Sequence, residues 1–257
     1  KGTDMQISVE TTIERTPRVQ QVEGIFDLTA EDKSKVEWDV ALPLDEKDWN
    51  IGLIVGPSGC GKTTLLSVIA GTLTPQTGTV EVFGQRLDGL GQEALTSFRR
   101  QNLGFVFQSF NLIPTLTVAE NVALGLGGRR GLADMRPIKA RILEVSEHYG
   151  LHVDPDAYIW QLAVGERQRA EILKALYRDA ELLVLDEPTA VLTPPEVDDL
   201  FVTLRQMQAD GKGLIFISHK LHEVMDLSDE ITVLRNGKVS GHTRPSESSR
   251  EHLAELM

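Results

Sequence analysis

The stretch Gly56-Pro-Ser-Gly-Cys-Gly-Lys-Thr-Thr64 determines how the other parts of this 257-residue chain are interpreted. It matches the pattern G-x-x-x-x-G-K-[ST] in register at Gly56, Gly61, Lys62 and Thr63. The apolar run 52–55 before it predicts a buried strand, and residues 63–70 after it predict a helix. A strand, a tight loop and a helix in this order are the context in which the pattern binds phosphate.

The residue types in this loop suit a nucleoside triphosphate. Glycines let the backbone approach closely, so that N–H groups and the helix N-terminus can face phosphate oxygens. We expect Lys62 to reach the β- and γ-phosphates and the Thr63 hydroxyl to ligate Mg²⁺. A glycine-rich turn that binds nothing has no need of both side chains. The residues predicted to contact the nucleotide are Gly56, Pro57, Ser58, Gly59, Cys60, Gly61, Lys62, Thr63 and Thr64.

Composition limits the function classes. The 41% hydrophobic and 25% charged residues are ordinary for a soluble globular protein. The net charge of −12 provides no overall positive field for nucleic acid or an anionic membrane. The single cysteine, Cys60, excludes an intrachain disulfide and fits a reducing compartment. No apolar run approaches the roughly 18 residues needed to span a bilayer. We expect a cytoplasmic protein, peripheral at the inner face of the cell membrane where other chains supply the spans.

The remaining pattern predicts an α/β fold. Alternation within residues 5–44 predicts antiparallel strands around a charged loop at 29–35. Further strands are predicted at 78–83 and at 103–107, the latter leading to Gln108. The runs Leu182–Leu185 and Leu214–Ile217 are typical of buried parallel strands. Residues 109–178 are predicted to form a mostly helical insert within a single domain, 1–257. The tail at 243–250 is expected to be mobile.

Two more segments carry candidate catalytic groups. Asp186 and Glu187 follow an apolar strand, where Asp186 can hold Mg²⁺ through water and Glu187 can polarise the water that attacks the γ-phosphate. His219 follows the next apolar strand and is suited to hydrogen-bond the γ-phosphate. Taken alone, the carboxylates could form a solvated turn and the histidine could be structural. The upstream phosphate loop favours the catalytic interpretation.

Taken in chain order, these motifs resemble the nucleotide-binding domain of an ATP-binding cassette (ABC) ATPase. The set is the phosphate loop, Gln108, Leu162-Ala-Val-Gly-Glu166, Leu182–Glu187 and His219, and the resemblance covers nearly the whole chain. It implies a P-loop NTPase core with a mostly parallel sheet, an antiparallel β subdomain and a helical ABC subdomain.

The same resemblance implies roles for further residues. Gln108 would sense Mg²⁺ and couple to a partner, and Phe26 would stack on adenine. The signature residues Ala163, Gly165 and Glu166 would contact ATP held by a second domain, in a head-to-tail homodimer or ABC heterodimer. The signature residues open a helix, and a helix N-terminus stabilises the charge of a γ-phosphate.

Two positions depart from the family pattern. Ala163 stands where the signature normally has serine, and Thr193 stands where the loop after Glu187 normally ends in aspartate. Losing one hydrogen bond to a charged group costs roughly 1.5–3 kcal/mol. We therefore expect slow turnover.

The resemblance also changes along the chain. Residues 18–59 resemble an unusual soluble ABC ATPase, 60–126 the exporter and lipoprotein-release subfamily, and 138–241 sugar and nucleoside importers. This favours a recombined or engineered chain, a chimera, over a divergent natural member.

The favoured function is a Mg-ATP-dependent ATPase that powers transmembrane transport subunits docked on the helical insert. One alternative is a soluble ABC ATPase in DNA repair, chromosome maintenance or translation. Such proteins usually carry a long coiled-coil insertion or a second cassette, and the acidic balance predicts no nucleic-acid binding. The other alternative, consistent with Ala163 and Thr193, is a nucleotide-binding module without productive hydrolysis.

Overall fold

The computed structural model describes residues 3–12, 33–42, 51–57, 60–73, 77–107, 110–124, 126 and 134–257. The strands are β1 Thr3–Thr12, β2 Lys33–Leu42, β3 Ile51–Val55, β4 Thr77–Gly78, β5 Glu81–Val82, β6 Gln85–Arg86, β7 Leu103–Val106, β8 Leu182–Asp186, β9 Gly213–Ile217, β10 Glu230–Arg235 and β11 Lys238–Thr243. The helices are α1 Lys62–Ile69, α2 Gln92–Asn102, α3 Val118–Ala123, α4 Met135–Tyr149, α5 Val164–Leu176, α6 Pro194–Ala209, α7 Leu221–Leu227 and α8 Arg250–Leu256. Short 3₁₀ turns lie at Ile159–Gln161 and Pro245–Glu247.

Within these residues one nine-stranded sheet has the order β4-β1-β2-β11-β10-β3-β9-β8-β7. Strands β10, β3, β9, β8 and β7 pair in parallel. Strand β1 pairs antiparallel with β2 and with β4. The predicted α/β architecture, a mostly parallel core with an antiparallel part, is confirmed.

Helices cover both faces of the parallel core. Side chains alternate along a strand, so Leu214 and Phe216 of β9 enter one hydrophobic cluster while Ile215 and Ile217 enter the other. The first cluster contains the buried sides of α3 to α8, and the second those of α1 and α2. Burial on both faces explains why these strands read as continuous apolar runs.

The direction of the parallel strands also determines the position of the candidate site. Strands β3, β9 and β8 are adjacent and run in the same direction. Their C-terminal ends therefore share one edge of the sheet, which is where α/β proteins bind ligands. The phosphate loop, Glu187 and His219 leave from that edge.

Two sequence predictions differ from the structure. The strand predicted at 78–83 is divided, because β4 joins the nine-stranded sheet whereas β5 pairs with β6 in a separate two-stranded sheet. Phe83 and Gly84, at positive φ angles of 53° and 72°, form the turn between β5 and β6. Residues 33–35, predicted to lie in a charged loop, belong to β2, which begins at Lys33. The tail at 243–250 contains the 3₁₀ turn Pro245–Glu247 and leads into α8, and its expected mobility stays a prediction.

Helices α3, α4 and α5 fall within the predicted insert 109–178. The division into one domain with a helical insert stays a prediction. In the part of the chain that the structure describes, no helix combines the length and the apolar character that crossing a membrane requires.

Candidate nucleotide-binding site

The phosphate loop connects β3 to α1, and close approach explains its glycines. A Cβ atom at Gly56 would collide with the carbonyl oxygen of Leu234 and with Sγ of Cys60. Gly61, at φ 99°, is the N-cap of α1 in the left-handed region that disfavours other residues. Cys60 is buried and fills the loop interior, as a small apolar side chain would. Ser58 and Gly59 lie outside the described residues.

Lys62 is held at the centre of this loop. Its Nζ donates to the carbonyl oxygens of Gly56 at 2.8 Å and Pro57 at 2.9 Å, and it lies 3.8 Å from Sγ of Cys60. The side chain is 9% exposed. A buried ammonium needs such oxygen partners. The contacts keep the positive charge in the place where a phosphate group entering the loop would meet it.

Thr63 and Asp186 form the second part of the site. The Thr63 hydroxyl, on the first turn of α1, donates a hydrogen bond to the Asp186 carboxylate at the end of β8. Burial raises the pKa of Asp186 above its usual range, and the adjacent Glu187 carboxylate raises it further. Lys62 and the bond from Thr63 lower it, but by less.

These two side chains fit Mg²⁺. Hydroxyl and carboxylate oxygens are ligands that Mg²⁺ prefers. Burial and the adjacent Glu187 carboxylate raise the pKa of Asp186, and a bound cation would stabilise its anionic form. Gln108, the third predicted ligand, lies outside the described residues.

Glu187 and His219 are brought together at the same edge of the sheet. Nδ1 of His219 lies 3.2 Å from Oε1 of Glu187, and the His219 side chain is 55% exposed. Glu187 adopts a φ of 48°, which is uncommon for glutamate, and its N–H donates to the carbonyl of Ile217 at 3.0 Å. Strained backbone of this kind concentrates at functional sites.

A buried carboxylate that the sequence analysis did not identify links the two catalytic loops. Oε2 of Glu223 accepts from the hydroxyls of Thr189 at 2.6 Å and Ser218 at 2.9 Å, and Glu223 is 1% exposed. Nζ of Lys220 lies 3.1 Å from its other oxygen. Thr189 follows Glu187 and Ser218 precedes His219, so Glu223 fixes one loop against the other. No sequence pattern marked this residue.

The signature segment opens α5, as predicted. Ala163 is the N-cap, and its N–H donates to Oε2 of Glu166 at 2.8 Å, which is the half of a capping box that the glutamate provides. Alanine has no side-chain acceptor for the other half. A Cβ on Gly165 would collide with Oε1 of Glu196 at the start of α6. Hydrogen bonds join Thr63 to Asp186 and His219 to Glu187, and the charge of Lys62 acts on Asp186. The signature segment contacts residues of α5 and the start of α6.

Thr193 has a local contact that the family pattern does not reveal. Its N–H and its hydroxyl both donate to Oε2 of Glu196, at 2.9 and 2.7 Å. It is the N-cap of α6, and Thr193-x-x-Glu196 follows the capping-box pattern that the sequence already contained. Phe26, the predicted adenine-stacking residue, lies outside the described residues. The roles of all these site residues stay predictions.

Comparison with known proteins identifies the family. The sequence profile described as "ABC transporter" matches residues 44–190, which include the phosphate loop, the signature segment and both carboxylates. The nucleoside import ATP-binding protein NupA of Lactococcus lactis subsp. cremoris is 41% identical, over 83% of this chain and 42% of NupA. The ribose import ATP-binding protein RbsA 1 of Streptomyces avermitilis is 38% identical, over 84% of this chain and 41% of RbsA 1.

This chain therefore spans less than half the length of the curated relatives it matches. Each of those two matches covers most of the chain. The predicted division of the chain among three subfamilies stays a prediction. Among solved structures, the dimer of the ATP-binding cassette MJ0796 in a post-hydrolysis state with ADP and Pi has a TM-score of 0.76 and 25% identity. That match covers 95% of this chain and 99% of MJ0796.

The cassette cbiO1 of Clostridium perfringens, described as part of the complex cbiONQ, has a TM-score of 0.67 and 26% identity, over 77% of this chain and 78% of cbiO1. The predicted P-loop NTPase fold is confirmed by these matches. By its profile, its relatives and its fold, the chain belongs to the ABC transporter family and is an ATP-binding cassette domain.

Proposed function

We propose that the chain hydrolyses Mg-ATP in a head-to-tail dimer and that hydrolysis drives transmembrane subunits of an import system. The observation that carries the proposal is the contact between Glu187 and His219 beside the cluster of Lys62, Thr63 and Asp186. The relatives named as import ATP-binding proteins support the transport role. The MJ0796 dimer with ADP and Pi supports hydrolysis in a dimer.

Each residue has a task in this reaction. Lys62 and the loop amides bind the β- and γ-phosphates. Thr63 and Asp186 would hold Mg²⁺, which when bound neutralises charge on the phosphate oxygens. Glu187 accepts a proton from the attacking water as its oxygen bonds to the γ-phosphorus and the bond to the ADP oxygen breaks.

His219 positions the γ-phosphate. Its Nδ1 lies 3.2 Å from the Glu187 carboxylate, which leaves the other ring nitrogen, Nε2, to contact a phosphate oxygen.

The signature segment acts in trans. The N-terminus of α5, from Ala163 to Gly165, would face the γ-phosphate bound by the second domain, where the helix dipole stabilises negative charge. Without a hydroxyl at Ala163 this contact is weaker than in the family pattern. That feature favours, as a second candidate, a nucleotide-binding module with little productive hydrolysis.

A groove beside the Gln108 segment would receive the membrane partner. It has a volume of about 480 Å³ and lies between α2, the end of β7 and α5. Two apolar side chains are exposed along it, Phe107 at 40% and Leu124 at 60%. Exposed apolar residues in a groove between secondary-structure elements are typical of a site for a short polypeptide segment.

The test is phosphate release from Mg-ATP by the purified chain, alone and reconstituted in vesicles with the membrane subunits that co-purify with it. We expect measurable release that the membrane subunits stimulate. ATP binding without release in both conditions would favour the second candidate. Release that no membrane subunit changes would remove the transport role and keep the ATPase.

A further inference from the structure

A charged pair at the start of α7 joins the two loops that carry the proposed general base and its histidine partner. The Glu223 side chain is 1% exposed, and both of its carboxylate oxygens have partners. Oε2 accepts from the hydroxyl of Thr189 in one loop and from the hydroxyl of Ser218 in the other. Oε1 lies 3.1 Å from Nζ of Lys220, which also donates to the carbonyl oxygen of Thr189 at 2.9 Å. The two loops therefore meet at one buried carboxylate and one lysine.

Stability alone does not account for this pair. Burying a carboxylate and an ammonium group costs free energy, and an apolar pair of similar size is often at least as stable. The charged pair adds direction, because a carboxylate accepts donors only at its two oxygens and so fixes Thr189 relative to Ser218. Thr189 lies two residues after Glu187, and Ser218 directly precedes His219. The geometry of the network is thus passed to the contact between Nδ1 of His219 and Oε1 of Glu187.

The two loops differ in how they are held elsewhere. The loop that carries Glu187 has a further contact, in which Nε2 of Gln168 donates to the carbonyl oxygen of Pro188 at 2.6 Å. The side chain of His219 is 55% exposed, whereas that of Glu187 is 22% exposed. A change at Glu223 should therefore displace His219 more than Glu187.

We propose that Glu223 is a positioning residue for ATP hydrolysis, and that its carboxylate, with Lys220, sets the place of His219 relative to Glu187. This rests on the proposed roles of His219 and Glu187 and adds a residue that acts through them without touching the nucleotide. A misplacement of about 1 Å in an active site can cost about 10²-fold in rate. Because the partners of Glu223 are loop hydroxyls and a lysine, the network acts on the chemical step and not on the binding of ATP.

The first test compares Glu223→Gln with Asp229→Asn. Glutamine keeps the size of the side chain but gives Lys220 no counter-charge. Asp229 is the matched control: it accepts from the N–H of Ile51 at 2.9 Å and from Nε2 of Gln208 at 3.0 Å, where β3 begins, at the opposite edge of the sheet from the phosphate loop. Both variants should melt at a lower temperature than the wild type. Only Glu223→Gln should lower kcat for phosphate release, by about tenfold or more, with the affinity for ATP unchanged.

A second pair of variants leaves the charges in place. Thr189→Val removes the hydroxyl that bonds to Glu223 and keeps the shape of the side chain, whereas Thr189→Ser keeps the hydroxyl. We expect Thr189→Val to lower kcat in the same direction as Glu223→Gln and Thr189→Ser to retain most of the activity that Thr189→Val loses.

Spectra of the histidine rings report the place of His219 without hydrolysis. Long-range ¹H–¹⁵N spectra are recorded of the six histidines, and the His219 signals are assigned by their absence from His219→Gln. These signals should move in Glu223→Gln and stay in place in Asp229→Asn.

Three results would overturn the inference: equal kcat in Glu223→Gln and Asp229→Asn, a Thr189→Ser variant as slow as Thr189→Val, or His219 signals that Glu223→Gln leaves unchanged. A wild-type chain that releases no phosphate would instead remove the proposed ATP hydrolysis. The His219 signals then decide the inference alone, since they do not depend on turnover.

Discussion

At the scale of single residues, the site depends on a carboxylate placed at an unfavourable backbone position. Glu187 has a φ of 48°, and non-glycine residues held in this region cost of order 1–3 kcal/mol. The position is held by its N–H bond to Ile217 of the adjacent strand and by the Nδ1 contact with His219. In a solvated turn without a function, the backbone of Glu187 would have relaxed to an ordinary φ angle. The strain is a reason to assign Glu187 a task at the reacting atoms.

This assignment predicts the behaviour of Glu187→Gln. The amide keeps the size and hydrogen-bonding capacity of the side chain but cannot accept a proton from water. We expect ATP binding to be retained and phosphate release to fall by about 10²–10⁴-fold. The matched control is Glu181→Gln, at an exposed position just before β8. Near-normal hydrolysis by Glu187→Gln would remove Glu187 from its role as general base.

The alanine at the N-cap of α5 predicts a gain of activity. Ala163→Ser adds the hydroxyl that the family pattern places here, and serine is also a better N-cap than alanine. One hydrogen bond to a charged group is worth roughly 1.5–3 kcal/mol. We expect turnover of Mg-ATP to rise between about tenfold and a hundredfold. Equal turnover of the variant and the wild type would show that this hydroxyl does not limit the rate.

At the scale of secondary-structure elements, Gly165 and Glu196 couple the starts of α5 and α6. A Cβ at Gly165 would displace the Glu196 carboxylate, which would then lose its bonds to the N–H and hydroxyl of Thr193. Two such bonds contribute about 1–2 kcal/mol. Because alanine is favoured over glycine within a helix by roughly 0.5–1 kcal/mol, we expect Gly165→Ala to lower the free energy of unfolding by the difference, about 1 kcal/mol.

The control for this coupling is the same substitution in a Glu196→Ala background. There the collision is absent, and alanine is favoured over glycine within a helix by roughly 0.5–1 kcal/mol. Gly165→Ala should then be neutral or stabilising. Urea unfolding of the four chains measures the coupling, and a cost that is the same in both backgrounds would contradict it.

Helix α5 also buries a carboxylate whose effect depends on pH. Burial raises the pKa of Glu171, although Lys174 and the N–H of Asn111 act in the opposite direction. In the pH window between the ordinary and the raised pKa, the folded state binds more protons than the unfolded state, so stability falls as the pH rises. Glu171→Gln keeps an acceptor for Asn111 but does not titrate.

We therefore expect Glu171→Gln to melt at a higher temperature than the wild type above this window, with the difference shrinking as the pH is lowered through it. Melting temperatures of both chains across the acidic to neutral range measure the effect. A difference that does not depend on pH would mean that the carboxylate is not destabilised by burial.

Sequence reasoning succeeded where local pattern and burial agree. The apolar runs of β8 and β9 could be predicted because both faces of these strands are covered, and the phosphate loop because its chemistry requires consecutive residue types. It was wrong at 78–83, because β4 and β5 pair in different sheets and the choice of partner strand depends on tertiary structure.

The candidate site shows the same contrast between residues that a local pattern predicts and residues that only tertiary contacts bring together. The catalytic candidates could be named because each follows a strand of the parallel core. Glu223 could not, since its role comes from hydroxyls of Thr189 and Ser218 that lie 34 and 5 residues away in sequence and meet only in the fold.

At the scale of the whole molecule, the proposed mechanism divides the site between two copies of the chain. Hydrogen bonds join Thr63 to Asp186 and His219 to Glu187, whereas the start of α5 lies against α6. In the proposal, the N-terminus of α5 from a second copy completes the site. The dimer of MJ0796, a structural neighbour, supports such an arrangement.

This predicts that the specific activity of phosphate release from Mg-ATP rises with the concentration of the chain and then saturates. Glu187→Gln, which should bind ATP without consuming it, should elute as a dimer with ATP and as a monomer with ADP, because only the γ-phosphate joins the two halves.

Activity that is constant with concentration and elutes with the monomer would contradict a shared site. A rate near zero at every concentration, despite ATP binding, would mean that a homodimer with Ala163 at its interface is unproductive; recovery of concentration-dependent activity by Ala163→Ser would then locate the defect at that residue.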